Sequence, residues 1–126
     1  MLSVQPRRVV IVEDHADTLR SLCTLLEMDG HSVYGTAYGI EGLRAILDGT
    51  YEIALIDLNV PGLNGYEIAR SVRRAGKQIP LIALTGQGLD SDREVAIEAG
   101  FDAFVLKPLS PQALSALVAE PPHRVR

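Results

Sequence analysis

Val9-Val10-Ile11-Val12-Glu13-Asp14 sets four β-branched apolar residues directly against two acids. A run this short with no polar residue has the length of a strand, and its continuity is that of a strand covered on both faces of a parallel sheet. The same kind of run returns at Ile53-Ala54-Leu55-Ile56, Leu81-Ile82-Ala83-Leu84 and Ala103-Phe104-Val105-Leu106. The stretch from Ser32 to Ala37 is more mixed, with Ser32, Tyr34 and Thr36 alternating against smaller or apolar residues, which suits an edge strand.

Between the runs the periodicity turns helical. Leu19, Leu22, Cys23 and Leu26 recur at the spacing of one helix face, and Leu43, Ile46 and Leu47 repeat it more briefly. Asp17 is a candidate cap for the first helix, Ser91-Asp92-Arg93-Glu94 reads as a capping box for the fourth, and Ser110-Pro111 as cap and first-turn proline for the fifth. Gly30, Gly49, Gly76 and Gly100 stand near the helix exits. Strand and helix thus alternate five times, which predicts an α/β fold with a parallel sheet, helices on both faces and right-handed crossovers.

The chain of 126 residues is expected to form a single domain, with a core from about 8 to 118 and a frayed tail over 119–126, where Pro121-Pro122 halts any helix. Its formal charge of −4, with few clustered cations beyond Arg7-Arg8 and Arg73-Arg74, argues against direct binding of nucleic acid. Cys23 is the only cysteine and falls on an apolar helix face, so it reads as a buried, inert thiol. With neither a signal-like start nor a run long enough for a membrane span, the expected location is cytoplasmic, away from membranes.

In an open α/β sheet ligands bind beyond the carboxyl ends of the strands, where strand order reverses. Glu13 and Asp14 end the first strand, Asp57 the third, Thr85 the fourth and Lys107 the fifth. Like charges about 4 Å apart repel by about 4 kcal/mol at an effective dielectric near 20, so three acids on one rim require positive charge. Lys107 supplies one unit, and a hard divalent cation such as Mg²⁺ takes oxygen donors together with a phosphate.

With these residues in place, the chain resembles the response-regulator receiver family, CheY-like in type, through Glu13-Asp14, Asp57, Thr85 and Lys107-Pro108. The likeness runs from about Arg8 to Val118 and includes the loop Asp57-Leu58-Asn59-Val60-Pro61-Gly62-Leu63-Asn64-Gly65. It implies a flavodoxin-like (βα)5 fold with strand order 2-1-3-4-5. It also implies two-component or phosphorelay signalling, in which Asp57 accepts a phosphoryl group with Mg²⁺ as cofactor. The module would catalyse its own phosphorylation and dephosphorylation without being an enzyme acting on a separate substrate.

The resemblance assigns roles residue by residue. Asp57 would be the nucleophile, aided by Lys107 and Thr85. Glu13 through water, Asp14, Asp57 and the backbone carbonyl of Asn59 would hold Mg²⁺, while Thr85, Gly86 and Lys107 would bind the phosphoryl group. Thr85 and Phe104 would form the switch, and Asn59 and Gln87 would tune the lifetime of the acyl phosphate. The donor would be a histidine kinase or a histidine phosphotransfer protein. The output face would be helix 4, strand 5 and helix 5, from about Ser91 to Leu117. The wording Leu84-Thr85-Gly86 and Glu98-Ala99-Gly100-Phe101-Asp102-Ala103 resembles receivers of hybrid histidine kinases, against the alternative of a stand-alone receiver.

Taken singly these residues have plainer readings. A strand-end aspartate caps helices, Thr85 favours strands, Lys107 suits a surface, Phe104 suits a core, and His15 suits a solvated loop. Two other classes remain in view. A haloacid-dehalogenase-like aspartyl phosphatase would want a second aspartate where Asn59 stands, and a flavin-binding flavodoxin would want a Ser/Thr/Gly-rich phosphate loop after strand 1.

Overall fold

A computed structural model describes residues 5–122 apart from Gln87 and Leu89, with the side chains of Asp90 and Ser91 also outside the description. The elements are β1 (Arg8–Val12), α1 (Ala16–Met28), β2 (Ser32–Thr36), α2 (Gly39–Asp48), β3 (Ile53–Asp57), α3 (Gly65–Arg74), β4 (Leu81–Thr85), α4 (Asp90–Ala99), β5 (Ala103–Leu106) and α5 (Pro111–Ala119). The strands form one sheet in the order β2-β1-β3-β4-β5, with every neighbouring pair parallel. This is the expected (βα)5 architecture, with the mixed strand β2 at one edge.

Alternation along each strand divides the core in two. Val10, Val12, Ala54 and Ile56 face one side, where they meet Ile46 of α2, Ile68 and Val72 of α3, and Ala96 and Ala99 of α4. Val9, Ile11, Ile53 and Leu55 face the other, against Leu22 and Leu26 of α1 and Leu114 and Val118 of α5. Both faces of β1, β3 and β4 are thereby closed to water, which is why their sequences are apolar without a break. Each Ile or Leu buried in this way contributes about 1.5–3 kcal/mol relative to an exposed one.

Two local expectations change. Asp17 is not the cap of α1: His15 holds the cap position, without a side-chain cap bond, and Asp17 lies in the first turn, where its charge favours the helix dipole. Cys23 is half-buried rather than fully enclosed, and burial, followed by the nearby Glu27 charge, pushes its thiol pKa up. Ser110 does cap α5, its hydroxyl accepting from the Ala113 N–H at 3.0 Å, with Pro111 in the first turn. The capping role expected of Ser91 falls on a side chain outside the described set.

The amino-terminal rim of the sheet is fastened by one arginine. Arg73, in the last turn of α3, donates from Nε to the Gly100 carbonyl at 3.0 Å and from Nη1 to the carbonyls of Lys77 at 3.0 Å and Ile79 at 2.8 Å. Its Nη2 meets Asp102 Oδ2 at 2.8 Å, and the same oxygen accepts from the Leu81 N–H at 2.9 Å. Side-chain exposure is only 11% for Arg73 and 3% for Asp102, so removal of either charge strands the other away from water. Arg73→Ala is expected to lower unfolding free energy by about 3–5 kcal/mol in a urea titration. Arg73→Lys should recover less than half of that loss, because an ammonium cannot reproduce the guanidinium fork.

Candidate functional site

The opposite rim gathers the chemistry. In the strand register Val12 pairs with Ile56, so the next residue of β1, Glu13, comes level with Asp57. Thr85 pairs with Leu106, which brings Lys107 one step beyond the end of β4. Both ladders continue past the strands: the Glu13 N–H donates to Thr36 O at 3.0 Å, and the Lys107 N–H donates to Thr85 O at 2.8 Å. Backbone pairing therefore aims these side chains before any side-chain contact forms. The site lies at the switch point between β1 and β3, where this strand order places ligands.

Lys107 joins the acids. Its Nζ lies 2.8 Å from Glu13 Oε1 and 2.9 Å from Asp57 Oδ2. The other Asp57 oxygen, Oδ1, accepts from the Asn59 N–H at 2.9 Å. Glu13 is fully buried and its second oxygen accepts from the His15 N–H at 3.1 Å. Burial pushes the Asp57 carboxyl pKa up, but the hydrogen bonds from the Asn59 N–H and the Lys107 ammonium help outweigh burial and hold it below the usual value. Burial likewise acts to lower Lys107, and its bonds to Glu13 and Asp57 overcome that effect and raise it. At neutral pH Asp57 is thus a carboxylate and Lys107 an ammonium.

The loop after β3 is built by close backbone approach. The Leu58 N–H donates to Leu84 O at 3.1 Å, and the Gly65 N–H returns to Leu58 O at 3.1 Å. A Cβ on Gly65 would stand 2.8 Å from Leu58 Cα and 2.9 Å from Asp57 O, so only glycine lets α3 begin this near the aspartate. Asn64 completes the turn as the cap of α3, accepting from the Glu67 N–H at 3.0 Å; the sequence pattern Asn-x-x-Glu carried that signal and the reading above did not use it.

Asp14 and His15 complete the rim. Asp14 keeps 34% of its side chain exposed, and His15 Nδ1 lies 3.4 Å from Asp14 Oδ1 and 3.2 Å from Glu13 Oε2. Glu13, Asp14, His15 and Asp57 each offer one donor atom within 4.8 Å of the others. His15 is exposed, as a loop histidine should be, yet it leans onto the acids instead of into solvent. Thr85 is buried at the end of β4 and Gly86 is exposed beside it. Phe104 is half-buried against the α2–α3–α4 side of the core and shares a shallow pocket with Gly88, Arg93, Val105 and Leu106. The side chain of Asn59 is exposed, and Gln87 lies outside the described residues.

A rim of this kind on a 2-1-3-4-5 sheet defines an aspartate-centred receiver module. The response regulator receiver domain family matches residues 9–119, and the chain belongs to it. The transcriptional regulatory protein YkoG of Bacillus subtilis is 36% identical over 110 residues, spanning 87% of this chain and 48% of that protein. The two-component response regulator PhoP of Pseudomonas aeruginosa is 33% identical over 109 residues, spanning 86% and 48%. The chain therefore covers about half the length of such relatives. Among solved structures, the receiver domain of a Pseudomonas aeruginosa sensor histidine kinase, with magnesium coordinated in its active-site cleft, is 29% identical with a TM-score of 0.82, covering 90% of this chain and 95% of that one. A CheY-like receiver from Methanospirillum hungatei is 28% identical with a TM-score of 0.84, covering 90% and 91%. The aspartyl phosphatase and flavodoxin readings give way to this family, a signalling module of two-component systems.

The charge balance of the rim has a measurable consequence without any ligand. Asp14→Asn removes one of the crowded negative charges and is expected to raise unfolding free energy by about 1 kcal/mol in divalent-free buffer. Lys107→Met removes the ammonium that bridges Glu13 and Asp57 and should lower it by about 3 kcal/mol. Urea titration with chelator present distinguishes the two signs.

Proposed function

We propose that Asp57 accepts a phosphoryl group and that the whole rim serves this one transfer. The observation that carries the reading is the Asp57 carboxylate held between the Lys107 ammonium and the Asn59 N–H. An Asp57 oxygen forms the new O–P bond as the bond from phosphorus to the donor breaks, and the leaving group keeps that electron pair. Because Asp57 is already ionised, no base is needed to activate it. Lys107 would offset charge on the transferred phosphoryl oxygens, while Thr85 at the end of β4 and the following Gly86 would offer Oγ1 and an N–H to them.

The donor set fits a hard divalent cation. Three carboxylates with donor atoms within 4.8 Å leave net negative charge after Lys107 is counted, and Asp14 is the most open of the three. Asp14, Asp57 and the carbonyl of Asn59 would hold Mg²⁺, with Glu13 acting through water. When bound, Mg²⁺ supplies positive charge shared between the nucleophile and the phosphoryl oxygens.

Residues 8–118 would work as one receiver unit that promotes its own phosphorylation and hydrolysis, with Asn59 and Gln87 setting the lifetime. A histidine kinase or histidine phosphotransfer protein in the cytoplasm would be the donor, as the family partnership suggests. Thr85 and Phe104 would pass the change to the face of α4, β5 and α5, where exposed Val95 and Leu106 offer apolar contact area to a downstream protein.

Incubation with acetyl phosphate and Mg²⁺ is expected to add one base-labile phosphoryl group per chain by intact mass. Asp57→Asn or excess chelator should abolish the addition. Undiminished labelling of Asp57→Asn would refute the assignment.

A further inference from the structure

We propose that His15 gives the acidic rim a nitrogen donor and so sets its cation preference, favouring a borderline transition-metal dication such as Mn²⁺ more than an all-oxygen site would. The inference rests on the reading that this rim holds a divalent cation at all. Its ground is geometric. In an octahedral shell with metal–ligand distances near 2.1 Å, adjacent donors stand about 3.0 Å apart and opposite ones about 4.2 Å. His15 Nδ1 stands 3.4 Å from Asp14 Oδ1, close to the separation of adjacent ligands on one ion, and 3.2 Å from Glu13 Oε2, the carboxylate that would reach the ion through water.

The chemistry separates the candidates. Mg²⁺ prefers oxygen and keeps several waters, whereas imidazole adds affinity for Mn²⁺ and progressively more for later first-row ions. The tautomer that carries its proton on Nε2 presents the Nδ1 lone pair to an ion, from a side chain 72% exposed. The backbone aids this placement whatever the side chain, since the His15 N–H donates to Glu13 Oε2 and its carbonyl accepts from the Leu19 N–H. His15 is thus a specificity-determining residue, replaceable without disturbing the core.

The test uses the full chain with Mn²⁺ as probe and Mg²⁺ as competitor. Electron spin-echo modulation of bound Mn²⁺ is expected to show ¹⁴N coupling, which His15→Phe removes. In the same variant Mn²⁺ affinity should fall about tenfold while Mg²⁺ affinity changes by less than about threefold. Bound Mn²⁺ without nitrogen modulation, or equal loss of both ions in His15→Phe, would overturn the role of His15 and leave the cation site standing. Binding of neither ion, or binding indifferent to Asp57→Asn, would instead overturn the cation reading beneath it.

Discussion

One ammonium group decides how this rim is organised. Lys107 Nζ bridges Glu13 and Asp57, carboxylates on two strands at distances of 2.8 and 2.9 Å, and the backbone delivers it there by extending the β4–β5 ladder one residue past the strand. The bridge helps hold the Asp57 carboxyl pKa below its usual value, against burial that acts to raise it. It does not neutralise the third acid. Asp14 remains a surplus charge at the mouth, and that surplus makes the rim a place for a cation and a phosphoryl group.

The two ends of the sheet use charge in opposite ways. At the amino-terminal rim Arg73 satisfies three carbonyls and a buried carboxylate, closing α3, β4 and β5 into a fixed frame. At the carboxyl-terminal rim Glu13, Asp14 and Asp57 share one ammonium among them, so Lys107 alone does not offset their mutual repulsion. A switch needs a region whose contacts change with state, and a rigid base beneath it keeps the change local. Thr85 stands where such a change would begin, on the strand between Asp57 and the β5 edge.

Much of this was legible because two simple periods alternate. Three of the four continuous apolar runs are strands covered on both sides, β1, β3 and β4, while the fourth, β5, is a half-exposed edge strand; each ran straight into its polar strand-end residue, so Asp57, Thr85 and Lys107 announced their shared edge. The mixed run from Ser32 announced β2 as an outer strand. Other features left no local trace. Arg73 showed in the sequence only as half of a short basic pair, because its partner Asp102 lies 29 residues away and only the fold brings them together. Asp17 looked like a cap because the helix start was placed too late; the chain turns helical at Ala16, directly after the acids. That early start is also what folds His15 back onto Glu13, a contact that composition and spacing could not convey.

The most direct test of the bridge is the ionisation of Asp57 itself, followed through its side-chain carboxyl carbon by NMR in divalent-free buffer, for the wild type and for Lys107→Met. The account predicts a midpoint below that of an ordinary aspartate in the wild type and a clear upward move once the ammonium is gone. An Asp57 midpoint already at or above the ordinary value, or one indifferent to Lys107→Met, would contradict it.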